Sequence, residues 1–162
     1  MSDNFRFDVI AAGFSGDSSV ALEALHHEDG TVRASALRAL ARIGTLTAEI
    51  LAPFILDSHI ETRRTAVELA VPFPEVDVHQ CIDDSDVFVA EMAAWCVGER
   101  TPASDIEIET LVDRTTSHDE AVVREACAAA LGSLGDARGL PAILAACSDK
   151  PAVRRRAILA LA

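Results

Sequence analysis

Apolar residues along this chain keep a spacing of three and four. In the stretch Val32-Arg33-Ala34-Ser35-Ala36-Leu37-Arg38-Ala39-Leu40, positions 32, 36, 39 and 40, continued by Ile43, are apolar. That spacing puts one apolar stripe on an amphipathic helix. The stripe returns as Val123-Arg124-Glu125-Ala126-Cys127-Ala128-Ala129-Ala130-Leu131, and again as Val153-Arg154-Arg155-Arg156-Ala157-Ile158-Leu159-Ala160-Leu161. Degenerate copies lie between, over 62–70 and 89–97. The position of Ala36 is small in every copy (Ala66, Ala93, Cys127, Ala157), which lets neighbouring helix axes approach closely. Shorter apolar segments predict partner helices over 19–27, 47–56, 75–82, 105–115 and 139–147. Turn residues punctuate them at Asp29-Gly30, Gly44-Thr45, Thr101-Pro102 and Gly135-Asp136. Ser104 and Glu107 have the spacing of a capping box. Pro53 and Pro141 are expected in a first turn or at a bend.

Equivalent positions 33, 63, 90, 124 and 154 are separated by 30, 27, 34 and 30 residues. One such step holds two short helices and two turns. A single helix pair cannot bury its stripe, whereas stacked pairs can. The expectation is an all-α array of about five antiparallel helix pairs over 17–162, with second helices near 31–43, 60–71, 87–99, 121–134 and 152–162. Residues 1–16, with Phe5, Phe7, Val9, Ile10 and Phe14, are expected to form an N-terminal cap. The last helix carries Val153, Ala157, Ala160 and Leu161 with no polar cap after it. The array is therefore expected either to continue in a longer parent chain or to meet another molecule there, with the stems of Arg154–Arg156 covering one side.

Composition agrees with helices. The chain has 29 Ala but 6 Phe, 1 Trp and no Tyr, a poor supply for a sandwich or barrel. Its net charge is −12, and between Glu75 and Glu125 there are 14 acids against 3 bases. Such a field repels nucleic acid and anionic membranes. The acidic middle is either a solvated surface or a face for a basic partner. Residues 150–156 run the other way, with Lys150, Arg154, Arg155 and Arg156. Neither a basic leader with a long apolar run nor an 18-residue apolar stretch occurs, so a cytoplasmic protein is expected. The cysteines (Cys81, Cys96, Cys127, Cys147) match no zinc or redox spacing and are expected as small buried hydrophobes.

The motif Val-Arg-x-x-Ala-x-x-Ala-Leu after an Asp-containing turn resembles HEAT repeats. The short period and the Val123–Gly135 stretch look most like the subtype of phycobilisome lyases and related bacterial proteins. The resemblance covers about 17–162. It implies an α-solenoid, wound as a right-handed superhelix, with second helices lining the concave surface. It also implies a ladder in which Asp29, Asp57, Asp119 and Asp149 engage Arg33, Arg63, Arg124 and Arg154 to tie successive turns together. Ala90 replaces the arginine in unit three, where the ladder is expected to break.

Chemistry is sparse. The histidines are His26, His27, His59, His79 and His118, and the sole His-Glu dipeptide, His27-Glu28, sits at the end of a first helix. A di-iron centre like that of HEAT-like hydroxylases needs several converging His and carboxylate ligands, so no metal or other cofactor is expected. HEAT-like DNA glycosylases need a basic concave face, which the charge opposes. No nucleophile pair, phosphate loop or His-Glu-x-x-His motif occurs. Trp95 is the most informative residue. It shares a column with Arg38, Glu68, Ala129 and Leu159, off the apolar stripe, so it is either an exposed anchor or a ring covered by the 99–105 loop or the preceding unit. The expectation is a non-catalytic scaffold that binds a basic protein or peptide through Trp95, Glu68, Glu91, Glu99 and Glu125, with Arg38 and Arg64 at one end. The alternatives are an enzyme or enzyme-accessory protein of the lyase or hydroxylase type, and an assembly module acting through the C-terminal helix by self-association or array continuation.

Overall fold

The computed structural model describes residues 2–100 and 102–162, with side chains from Asn4 onward. Among the described residues there are ten α-helices and no strand: α1 (Ser2–Ser15), α2 (Ser18–Ala24), α3 (Gly30–Ile43), α4 (Ala48–Leu51), α5 (Ile60–Leu69), α6 (Val87–Gly98), α7 (Asp105–Ser117), α8 (Ala121–Leu134), α9 (Leu140–Ala146) and α10 (Pro151–Ala160). Short polar side chains open several of them. Asp29 accepts the Thr31 N–H ahead of α3, and Asp86 accepts the Phe88 and Val89 N–H groups ahead of α6. Ser104 and Glu107 form the expected capping box on α7. Gly44 and Gly135 end α3 and α8 at φ +82° and +63°, a left-handed conformation that glycine adopts without a Cβ clash. The turn expected at Thr101-Pro102 lies, at Thr101, outside the described residues.

The chain forms two compact units, Met1–Val76 and Asp77–Ala162. In the first, α1 and α5 flank α3, whose Leu37 and Leu40 are fully buried. The α1 segment is a full helix seated on α3. Gly13 comes so close that a Cβ there would stand 3.0 Å from the Ala39 Cα. In the second unit, α6, α8 and α10 lie side by side in that order, and Gly98 on Ala130 and Gly132 on Ala160 make the same close approach. Each glycine removes the Cβ that would hold two helices apart.

The expected partner helix over 75–82 is absent. The segment contains only a 3-10 turn, His79–Asp83. Pro72 and Pro74 withhold donors and disfavour helical backbone at the residues before them, and Asp77 takes the His79 N–H into a local turn. The helix expected over 47–56 is short as well, because α4 tightens into a 3-10 turn over Ala52–Phe54 that contains Pro53. Pro141 occupies the first turn of α9.

Arginines bind the turns together. Arg33 grips Asp57 with Nε and Nη2 at 2.9 and 2.5 Å, and its Nη1 donates to the carbonyls of His27 and Glu28. Arg124 repeats this on Asp149, at 2.6 and 2.9 Å, and on the carbonyls of His118 and Asp119. The arginine therefore joins its own turn to the aspartate of the following unit. Where Ala90 stands, the link is made differently. Arg114, from α7, reaches Asp83 with two hydrogen bonds of 2.6 and 2.8 Å. A further ion pair, Arg100 with Glu107, is fully buried and also feeds the α7 capping box.

Candidate protein-binding surface

The candidate residues fall in both units. Arg38, Arg64 and Glu68 belong to the first, and Glu91, Trp95, Glu99 and Glu125 to the second.

In the first unit, Arg38 lies on α3 and its guanidinium sits between two carboxylates of α5. One nitrogen is 3.4 Å from Glu61 Oε1 and the other 3.3 Å from Glu68 Oε2. Arg64, also on α5, is exposed. Here the column is occupied by charges that neutralise one another. Glu61 was not among the sequence candidates, and it enters because it lies one helical turn from Arg64 and two from Glu68.

In the second unit, Glu91, Trp95 and Glu99 follow at i, i+4 and i+8, on one face from α6 to the residue that ends it. The Trp95 ring is 45% exposed. Position 95 sits opposite the buried side of α6, where Ala93, Ala94, Cys96 and Val97 are sealed. On α8, which packs directly against α6, the equivalent residue is Ala129 and the one a turn later is Ser133, both too short to cover an indole. The column continues on α10 at Leu159, 62% exposed. Glu125 of α8 is half-buried and lies 3.6 Å from Arg156 Nε.

Two residues enlarge this face beyond the sequence expectation. Phe88 is 55% exposed and precedes Trp95 by seven residues, two helical turns on the same side of α6. Val122 occupies the matching place on α8 and is exposed too. Phe88 sits in the first turn, ahead of the repeating stripe, and periodicity alone does not mark it. The sum is a surface of Phe88, Trp95, Val122 and Leu159 with Glu91, Glu99 and Glu125 among them.

Burial pushes the thiols of Cys96 and Cys127 up to about 11 and about 12, so both remain protonated at neutral pH. Among the described residues, no three His, Cys, Asp or Glu side chains converge on a point that could hold a metal. His27 receives the Asp29 N–H and stacks on Phe5, with ring centroids 5.7 Å apart. Among the described residues no helix is long and apolar enough to cross a membrane.

Comparison with known proteins places the fold. No curated protein matches the chain. The crystal structure of an engineered protein superposes with a TM-score of 0.62 at 19% identity, over 96% of this chain and 82% of the other. It is a likeness of fold. The family model for HEAT repeats matches residues 77–162, more than half of the chain and the whole of the second unit. With its helix pairs, its Arg-Asp ladder and that match, this chain is an α-solenoid of the HEAT-repeat family.

Proposed function

We propose that the protein is a non-catalytic scaffold that holds a basic protein or peptide on the exposed face of its second helices, centred on Trp95. The observation that carries this reading is the half-exposed indole with a carboxylate one turn to each side, on a helix whose neighbour has only small side chains at that level. Trp95, Phe88 and Leu159 supply apolar area, and Glu91, Glu99 and Glu125 steer a cationic partner toward it. Glu68, Arg38 and Arg64 are a secondary part of the reading, since Arg38 is already held between two glutamates. The short repeat period groups the chain with the phycobilisome-lyase subtype, a likeness of repeat geometry that brings no lyase chemistry with it. A cytoplasmic site of action accompanies the reading.

The test uses the chain's one tryptophan as its own probe. A displayed peptide library is selected on the wild-type chain, and the enriched peptides are titrated by calorimetry against wild type and Trp95→Ala, with indole emission followed in the wild type. Enrichment of cationic sequences with interspersed apolar residues is expected, with binding weakened by salt and weakened at least 30-fold by Trp95→Ala, about 2 kcal/mol. Peptides that bind Trp95→Ala as tightly as wild type would sink the reading.

A further inference from the structure

Helices α6 and α8 repeat one another position by position. The buried residues of α6 are Val89, Ala90, Ala93, Ala94, Cys96 and Val97, and those of α8 are the same six positions 34 residues on. The opposite sides of the two helices are therefore equivalent as well. On α6 that side carries Phe88, Glu91, Trp95 and Glu99. On α8 it carries Val122, Glu125, Ala129 and Ser133. The first helix of the following pair, α7, returns the chain between them, so α6 and α8 run the same way. Gly98 seats against Ala130, which brings the two backbones close along their seam.

The pair thus presents rows of alternating character. Phe88 with Val122 makes an apolar row, Glu91 with Glu125 an acidic one, Trp95 with Ala129 a second apolar one, and Glu99 with Ser133 a polar one. Phe88, Trp95 and Val122 are all exposed. Glu125 lies 3.6 Å from Arg156, whereas among the described residues Glu91 and Glu99 have no cation at ion-pair distance. The steps between rows are three, four and four residues, about 4.5, 6 and 6 Å along the axis. A helix laid along the pair has the same rise and meets every row at the same intervals. An extended segment advances about 6.6 Å between side chains on one face, and over three steps it falls out of register by about 3 Å.

We propose that the segment held at Trp95 is a cationic amphipathic α-helix lying along α6 and α8, with apolar and basic residues in turn at helical intervals on the side that meets them. The inference rests on the Trp95 reading and specifies the partner's form. Apolar residues of the segment meet the Phe88 and Trp95 rows, and its lysines or arginines meet Glu91 and Glu99. A helix satisfies its own backbone groups. That matters here, because α6 and α8 use theirs internally and offer no strand edge for an extended peptide to pair with.

Two displayed libraries of equal length and equal residue content test the proposal on the full chain. One places apolar and basic residues at the helical intervals on an alanine-rich background, and the other alternates them. The first is expected to enrich at least tenfold over the second, and its peptides to gain helical circular dichroism on binding the chain. Proline at a central position facing away from the chain leaves the contacting side chains in place and breaks the helix, and should weaken binding at least 30-fold. Equal enrichment of the alternating library, or peptides indifferent to that proline, would overturn the helix; if their binding still needs Trp95, the Trp95 reading stands without it. Enrichment from neither library would overturn both.

Discussion

The two units carry the same helix register and fill it in opposite ways. In the first, Arg38 bridges Glu61 and Glu68, and the outward column has satisfied its own charges. In the second, the same column reads Trp95, Ala129 and Leu159, with apolar area facing water beside carboxylates. The backbone is therefore neutral about binding. Whether a helix layer is closed or open follows from one residue per repeat, set a turn away from the residues that build the core. An array of this kind can shift an open layer from one repeat to another by substitution alone.

That contrast can be tested in order of expected effect. The largest falls on the buried Arg100–Glu107 pair, more deeply buried than Arg33–Asp57 of the first unit. Arg100→Met leaves the buried Glu107 carboxylate with Ser104 but without its counter-charge and should cost about 3–5 kcal/mol in urea unfolding. Adding Glu107→Gln should recover a good part of it. Native-state hydrogen exchange should place the loss in residues 77–162, and equal loss in the first unit would show that the two do not respond separately.

Next come the ladder arginines. Arg33→Ala and Arg124→Ala each remove a two-point grip on an aspartate together with bonds to two carbonyls, and should cost about 2–3 kcal/mol. Arg114→Ala breaks a more exposed pair and should cost less than about 1 kcal/mol. Similar losses for all three would mean that the Ala90 site is tied as firmly as the rest.

The binding contrast is smaller in stability and larger in function. Trp95→Ala should shift the unfolding midpoint little while weakening a selected peptide by about 2 kcal/mol. Arg38→Ala should change that peptide's affinity less than threefold, because Arg38 is already engaged. An Arg38 effect equal to that of Trp95 would move the site into the first unit.

Acid acts on the carboxylates of the same ladder. The Arg124 guanidinium holds Asp149 down at about 2, and Arg114 keeps Asp83 below its ordinary range. Burial raises Asp57, but the hydrogen bonds from Arg33 and the His59 N–H prevail and leave it lowered. A carboxyl lowered in the folded state stabilises above its unfolded value near 4, and that contribution is lost as pH falls toward its folded value. For Asp149 the loss between about pH 4 and 2 should be on the order of 1 kcal/mol. Asp149→Asn should flatten that part of the curve.

The repeat was legible because its signal is redundant. Five stripes at nearly constant step state the helix pairs several times over, and the capping box at Ser104 stands in the sequence in plain form. The first helix of the third pair was misread because apolar content over 75–82 was weighed without Pro72 and Pro74, whose backbone constraint dominates so short a segment. The ladder's partner choice was also hidden. Spacing paired each arginine with the aspartate just before it, whereas Arg33 and Arg124 bind the next one along, 24 and 25 residues away. Sequence shows that a guanidinium and a carboxylate are both available, and only the stacking distance decides which meet. The outward placement of Trp95 could be argued from its column, but its exposure depends on the small size of Ala129 and Ser133 on a neighbouring helix, which no periodicity within α6 contains.

The single turn that stands in for a helix at His79–Asp83 has a mechanical consequence. Helix α8 is wedged among α6, α7, α9 and α10, whereas on its first-helix side α6 packs on that one turn. The helix that bears the indole is thus backed by a five-residue turn where α8 is backed by the thirteen residues of α7.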